Sequence, residues 1–560
     1  MPWLFVFTLD FSEKRRPLFG TRSKGAGMKL YRSFATIGGM TMISRVLGYL
    51  RDALFAAVLG ANWVADAFLI AQRFPNLFLR LFGEGTLNSA VVPIYTRKLD
   101  NEGPLAARAF AEEVLAVLIS ALMILVVLGE IFMPQLMYLM AWGFSGDPGK
   151  FDLAVLMARI AFPYLMCMSL VALQAGVLNA NGKFAAAAAA PVIFNVVSMI
   201  MLLISLSLGL RQTPEAGMMQ AWGIAIAGFL HLTFLALMTR RVGMDLNFVR
   251  PKLTPDVREL LWLAVPAIAA GGINQINLLI GSLIASLQPS AVSYLYYADR
   301  LYQLPLGVVG IAVGVALLPE LSRRLAAGDE AGASDSQSRS LEFAMLLTVP
   351  AAAALFVIPG PLIAVLYERG AFTAADAHQT SLALAAYAFG LPAFVLNKVF
   401  SPGFFARGDT RSPMIFAGVS VAVNVAGSLA LYWPFGFVGI AVATTLSGWV
   451  NAGQLGVTLY NKGHFQIDAR LRRRLPLIFL SSIVMAAALW GAAMALQEWF
   501  GHENYMPVRL AALLVLVLGG LAVYGAAIHY SGAASLSELR RELSQRKGRK
   551  NTPAIEDMSA

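Results

Sequence analysis

Seven basic side chains interrupt stretches of this sequence that are otherwise apolar: Arg45, Arg51, Arg73, Arg80, Arg159, Arg300 and Lys398. Four of them fall between residues 45 and 80, in company with Asp52, Asp66, Asn76 and Glu84. SRVLGYLRD carries Arg45, Arg51 and Asp52, and ADAFLIAQRFPNLFLRLFGEG carries Asp66, Arg73, Asn76, Arg80 and Glu84. Asp66, Arg73 and Arg80 are spaced by seven and Glu84 follows by four, which stacks all four on one helix face. Pro75 is expected to bend that helix and free backbone polar groups. A charge at mid-membrane costs from about 2.5 to above 10 kcal/mol, so several on one face imply a water-filled cavity. Cations outnumber carboxylates there, which fits an anionic substrate group, and the planar guanidinium fork suits phosphate oxygens. Arg300, beside Asp299 in YYADR, sits at the corresponding place further along the chain. The competing reading pairs Arg80 with Glu84 and Asp299 with Arg300 and leaves them a packing role, with Arg159 snorkelling at a span end.

The elements that must position these residues are membrane spans. Hydrophobic residues make up 58% of the 560, and charged residues 13%, against about 25% in a soluble domain. Apolar runs of about 20 residues recur from end to end, each long enough to cross about 30 Å of hydrocarbon. Lipid cannot satisfy stray backbone groups, so spans this apolar are α-helices, and the alternating polarity of a transmembrane barrel is missing. The expected fold is therefore an all-α polytopic membrane protein of about fourteen transmembrane helices.

The net charge of +11 first suggests an anionic partner such as nucleic acid. Its distribution argues against that. With a cytoplasmic amino terminus, the inside loops and tail hold 25 of the 43 Lys and Arg residues. The outside loops hold four, namely Lys150, Arg211, Arg369 and Arg509. This positive-inside bias puts both termini in the cytoplasm and assigns the basic character to topology and membrane-lipid head groups.

Two parts of the sequence echo one another. Pro93 and Arg97 in VVPIYTRKL match Pro319 and Arg323 in LLPELSRRL at an offset of 226. Pro163 matches Pro392, and Asn195 matches Asn424, both at 229. GIAIA at Gly223 matches GIAVA at Gly439 at 216. Six spans per copy is an even number, so the copies run in parallel and form two six-helix lobes around a central cavity, with two appended helices. The expected organisation is residues 28–245 and 246–465 for the lobes, 466–535 for the appended pair and 536–560 for a basic cytoplasmic tail. Residues 1–27 read as a flexible extension or a mis-called start ahead of Met28, with apolar and basic parts in the reverse order of a signal peptide. GDEAGASDSQSR (328–339) reads as a mobile connection, and the alanines at 185–190 as close helix packing.

Catalytic chemistry finds little support. The five histidines show no metal-ligand spacing, and neither a P-loop nor HExxH occurs, so no metal and no cofactor is expected. Cys167 is the only cysteine and reads as a packing residue.

SRVLGYLRDALFA, DAFLIAQRFPNLFLRLFGEGTLNSAVVPI, YYADRLYQLPLGVVGIAVGVALLPELSR and NKVFSPGFFARGDTRSP closely resemble the MurJ (MviN) family. These are lipid II flippases of the multidrug/oligosaccharidyl-lipid/polysaccharide exporter superfamily. The resemblance runs from about Met28 to 530 and implies fourteen helices in two lobes, with a groove for the lipid tail on the last two. It implies a transporter, not an enzyme, in the cell inner membrane. Its substrate would be lipid II, the undecaprenyl-pyrophosphate-linked disaccharide pentapeptide, moved to the outer leaflet by alternating access for peptidoglycan synthesis. Proteins of that synthesis are the expected neighbours. The family's charged positions fall on Arg45, Arg51, Asp66, Asn76, Glu84, Arg300 and Lys398. Arg51, Arg45 and Arg300 would clamp the pyrophosphate with Asn76, Arg80 and Lys398 in support, and Asp66, Glu84 and Asp52 would gate. Where relatives commonly read PNLLRR, PNLFLR puts Leu79 in place of the first arginine. The seventh span holds Asn274 and Asn277 but no acid, so no sodium site is expected. The alternatives are a flippase for another polyprenyl-linked glycan, a cation-coupled drug exporter, a membrane glycosyltransferase or a scaffold. Drug export favours acidic cavities, and a transferase would need acidic residues on a sizeable outside loop.

Overall fold

The structure, a computed structural model, describes residues 25–82, 86–501 and 504–533. Glu84, the extension before residue 25 and the 536–560 tail lie outside them, as do the side chains of Leu79, Arg80 and Asn274. Every regular element among the described residues is helical. The first half comprises α1 (Gly25–Leu59), α2 (Trp63–Phe82), α3 (Thr86–Asn101), α4 (Pro104–Ile131), α5 (Met133–Ala141), α6 (Pro148–Ala161), α7 (Tyr164–Ala180), α8 (Phe184–Ser207) and α9 (Pro214–Arg241). The second comprises α10 (Pro255–Ala285), α11 (Ala291–Ala326), α12 (Glu330–Val357), α13 (Pro359–Tyr367), α14 (Ala374–Ala388), α15 (Leu391–Phe405), α16 (Arg411–Phe435) and α17 (Phe437–Asn461). Then come α18 (Ala469–Ala495) and α19 (Met506–Ser531).

Nine helical stretches among the described residues are long and apolar enough to cross a membrane. The other expected spans fall on α1, α2–α3, α10, α11 and α17, and the first four of these carry the polar contacts between halves. Helix α16 is strongly apolar, yet only 11% of its most hydrophobic window is buried. An apolar surface left outward on such a scale is suited to lipid.

Proline places matching breaks in both halves. Pro134 at the start of α5 and Pro359 at the start of α13 separate these short helices from α4 and α12. Pro134 has no N–H to give the carbonyl of Glu130. Arg159 Nε donates to that carbonyl instead, at 3.2 Å, so this cation closes a backbone break. Pro163 and Pro392 divide α6 from α7 and α14 from α15 in the same way.

The echoed asparagines do equivalent work. Asn195 Nδ2 on α8 donates to the Ser44 carbonyl of α1 at 3.0 Å, and Asn424 Nδ2 on α16 donates to Asn277 Oδ1 of α10 at 2.7 Å. Gly223 and Gly439 bring α9 onto Met201 of α8 and α17 onto Leu431 of α16. Cys167 is buried against Gly228 of α9. Helices α18 and α19 pack on the second half through Ile478, Met485, Leu489, Leu516 and Tyr524.

The 328–339 stretch differs from expectation. It is helical from Glu330, because Asp329 caps the start (Gly332 N to Oδ1, 2.8 Å) and Ser338 Oγ donates to the Gln466 carbonyl at 3.0 Å. Arg339 binds Asp335, Glu342 and Asp468, and Glu342 also takes Arg470 and Arg474. Charge pairing across α12 and α18 thus orders a segment whose composition looks loose.

The halves meet backbone to backbone at the end bearing the α1–α2 turn. Gly370 holds φ +60°, and a Cβ there would stand 2.3 Å from the Ala57 carbonyl oxygen. Ala371 N donates to that oxygen at 2.9 Å. On the other side, a Cβ on Gly143 would stand 2.4 Å from the Ser286 carbonyl carbon and oxygen, and Gly143 N donates to Ser286 Oγ at 3.0 Å. Gly143 matches Gly370 at an offset of 227, and Ala57 matches Ser286 at 229, which is the sequence repeat. Each half therefore offers one glycine to the other's first helix. Gly370→Ala should hold this end apart. Spin labels at Trp63 and Ala375, both exposed, should report a longer separation in that variant, and an unchanged distribution would contradict the close-approach role.

Candidate functional site

Directly inward of this glycine seam is a buried carboxylate. Asp66, in the first turn of α2, is fully buried. It accepts from Lys150 Nζ at 2.9 Å, Ser290 N at 2.9 Å, Ser293 N at 3.0 Å and Ser293 Oγ at 2.7 Å. Four donors, one of them charged, replace the water that this carboxylate gives up. Lys150 comes from the first half and the serines from the start of α11 in the second, so Asp66 joins the halves. Lys150 is not a loop cation as its position suggested. It is buried, its stem starts α6, and its ammonium lies 4.0 Å from the Phe144 ring centre.

Two of the other three expected outside cations, Arg509 and Arg369, are also engaged, while Arg211 is exposed. Arg509 is buried and donates to the Ala364 carbonyl at 3.1 Å, with Glu368 3.5 Å away. Arg369 donates to the Val365 and Leu366 carbonyls. Both satisfy the last turn of α13, where carbonyls lack helical partners and the helix dipole favours positive charge.

Deeper in, Asp52 is shared by two arginines. Arg51 donates to Oδ1 through Nη2 at 2.7 Å and Nε at 3.1 Å, and Arg300 Nε lies 3.2 Å from Oδ2. Tyr296 donates its hydroxyl to Oδ1 at 2.9 Å and accepts from Arg300 Nη2 at 3.2 Å. The guanidiniums stand over aromatic rings, Arg51 over Phe194 at 5.1 Å and Arg300 over Tyr296 at 4.8 Å. Asp52 is almost fully enclosed, whereas the Arg300 side chain is 36% exposed. The cluster carries one surplus positive charge and presents it on the accessible side. Asp299 accepts from Gln303 Nε2 and also acts electrostatically on the neighbouring Arg300.

Arg45 and Lys398 converge on one stretch of α11. A Cβ on Gly307 would stand 2.7 Å from Arg45 Nη1, and one on Gly310 would stand 3.6 Å from Lys398 Cγ. A side chain at position 307 would force the Arg45 guanidinium to shift. Arg45 also lines an open cavity of about 340 Å³ with Ser44, Asn179, Phe184 and Pro191. Lys398 is exposed. Asn76 turns back on its own helix, donating to the Gln72 carbonyl at 3.0 Å. Among the sequence-derived candidates, then, Arg51, Asp52 and Arg300 are brought into one cluster, Arg45 and Lys398 flank α11, and Asp66 lies in the seam.

The helix face drawn from the seven-residue spacing is partly realised. Asp66 and Arg73 both point at the second half, Arg73 donating through Nη1 to Ser282 Oγ of α10. Sequence reasoning missed Lys150, Tyr296, Ser282 and Ser293. The repeat could have exposed some of them, since Ser293 follows Asp66 at an offset of 227.

Comparison with known proteins now places this arrangement. The family description "Lipid II flippase MurJ" matches residues 55–516. The chain belongs to the MurJ family. A relative from Rhizobium meliloti (strain 1021), described as "Probable lipid II flippase MurJ", is 46% identical over 517 residues, covering 92% of this chain and 96% of its own. A solved structure titled "Lipid II flippase MurJ, inward closed conformation" superimposes with a TM-score of 0.73 at 25% identity, covering 89% of this chain and 99% of that one. An inward-facing multidrug transporter of the MATE family and MOP superfamily aligns with a TM-score of 0.63 at 15% identity over 77% of this chain and 98% of its own, a likeness of fold alone. MurJ membership makes this protein a transporter, not an enzyme, and a multi-pass membrane protein.

Removing the shared carboxylate should be costly, because it leaves two partly buried cations facing each other. Asp52→Asn is expected to lower stability by about 3–5 kcal/mol, read as a lower unfolding midpoint in detergent. Adding Arg300→Gln should recover part of that loss, and strictly additive losses would show that the two residues are not coupled.

Proposed function

We propose that this chain carries lipid II across the membrane, from the leaflet facing its basic loops to the opposite leaflet. The observation that carries the reading is the surplus cation of the Arg51–Asp52–Arg300 cluster, held between the halves of a MurJ-family fold. A pyrophosphate brings two or more negative charges and several acceptor oxygens. Arg51, Arg300 and Arg45 would take these oxygens by charge-assisted bonds, and Lys398, Asn76 and Arg80 would supply further polar contacts. A cationic drug would meet repulsion at the same place, which disfavours the drug-exporter reading.

Asp66, Asp52 and Glu84 are assigned to gating. Asp66 suits that role because its donors come from both halves and must part if this end opens. The basic loops put the opposite end and both termini in the cytoplasm, and the inner membrane is the site of action. Peptidoglycan-synthesis proteins would receive the exported lipid. No nucleotide-binding motif occurs, so movement would draw on an ion gradient, the membrane potential or substrate flux.

Two measurements test this. Rapid inactivation in cells should make lipid II inaccessible at the outer leaflet within one export cycle, and continued export would overturn the assignment. Arg51→Ala should insert normally yet support no growth, and full complementation would show that the clamp is misassigned.

A further inference from the structure

Most enclosed cations described above have an acid. Lys150 has Asp66, Arg51 and Arg300 have Asp52, and Arg509 has Glu368. Arg73 differs. It lies mid-helix on α2, partly buried, and its bond among the described residues is to a neutral hydroxyl, Ser282 Oγ.

The repeat explains where this leaves Arg73. Arg73 matches Arg300 at an offset of 227, the two ending the segments AFLIAQR and YLYYADR. Each reaches across to the first helix of the other half, Arg300 to Asp52 on α1 and Arg73 to Ser282 on α10. Asp52 and Ser282 are themselves related by an offset of 230, close to that of the glycine seam. The two contacts are thus counterparts across the axis relating the halves. One kept a carboxylate, and the other has a serine in its place. Asp299 and Asp66 act on Arg73 only from beyond ion-pair distance, so an enclosed guanidinium whose direct partner is neutral is under-compensated, and an anion can outcompete a hydroxyl for it.

We propose that Arg73 is a second anion anchor, the counterpart of Arg300, which leaves Ser282 for a phosphate oxygen when substrate enters. This rests on the flippase reading and extends it. The two arginines address a ligand from opposite halves, which suits a diphosphate with one phosphate toward each. Exchange of Ser282 for substrate removes an interhalf bond as it makes a substrate bond, so occupancy and closure are linked.

The test uses full-length protein in nanodiscs with three probes: undecaprenyl pyrophosphate, undecaprenyl monophosphate and undecaprenol. Arg73→Gln should weaken pyrophosphate-lipid binding about tenfold to a hundredfold, the size of one charge-assisted bond, and leave undecaprenol binding unchanged. The monophosphate should lose less than the pyrophosphate. Arg73→Lys should retain most of the affinity, and Ser282→Ala should keep or tighten it, because the competing hydroxyl is gone. Equal pyrophosphate affinity in Arg73→Gln would overturn the proposal. So would a Ser282→Ala loss as large as that of Arg73→Gln, which would make the pair a strut. If Arg73→Gln fails to insert, the Lys and Ser282 variants decide between the same outcomes. Wild-type protein that does not distinguish pyrophosphate from undecaprenol would sink the flippase reading itself, whereas wild-type discrimination that survives Arg73→Gln sinks only the role of Arg73.

Discussion

Asp52 lies between Arg51 on its own helix and Arg300 on the opposite half, and one carboxylate cannot neutralise two guanidiniums. Much of the surrounding structure answers to that imbalance. Helices α1 and α11 must approach at this level for the carboxylate to be shared. That approach is allowed because Gly60, Gly143 and Gly370 let backbone meet backbone one layer beyond. Tyr296 completes the coordination by donating to the acid and accepting from the base. The remaining positive charge is displaced toward Arg300, the more exposed partner. In a medium where an isolated charge costs several kcal/mol, this leaves a site that is incomplete without an anion.

The halves share a backbone plan but not a chemistry. Glycine contacts, proline breaks and asparagine ties recur at a nearly constant offset, because helix packing fixes them and both copies must pack alike. The polar residues facing the interface recur only in part: Arg73 and Arg300 correspond, but their partners do not. Asp66 faces Ser293, its own counterpart, across the axis, and the Arg73 contact has a serine where the Arg300 contact has Asp52. Two identical acids facing each other at the axis would repel, so an acid on one side with a donor on the other is the compatible pairing. The asymmetry is therefore a condition for closing the seam, and it also produces the cationic excess.

Much of this was legible in the sequence, and for physical reasons. Helical class and membrane location follow from apolar run length, and the repeat from residues with fixed geometric roles such as Pro163, Pro392, Asn195 and Asn424. The cationic character of the interior follows from the cost of charge in lipid. Pair identities were less legible. Lys150 looked like a loop residue because it adjoins Gly149 and Pro148, yet the fold brings it to Asp66, far back along the chain. Arg369 and Arg509 looked solvent-facing, but they cap a helix end that appears only once α13 is known to stop at Tyr367. The 328–339 segment looked mobile because small polar residues carry little propensity, and its order comes from the Asp329 cap and from Arg407, Gln466 and Asp468, far later in the chain. Local pattern fixes which face a charge occupies, and long-range topology chooses its partner.

Binding can drive movement here without a nucleotide. Asp52 and an incoming pyrophosphate compete for the same guanidiniums. If the anion takes Arg300, the Arg300–Asp52 tie between halves weakens while Arg51 still neutralises Asp52 from its own helix. The acid is then not stranded, and the cost of parting the halves falls by the strength of one ion pair. A ligand shifts a conformational equilibrium only by its differential affinity for the two states. Here the difference arises from a contact that exists in the closed state and that the substrate replaces. An arginine paired within its own half could bind phosphate equally well but would leave the closure untouched, so it is the cross-half placement of Arg300 that lets occupancy act on conformation.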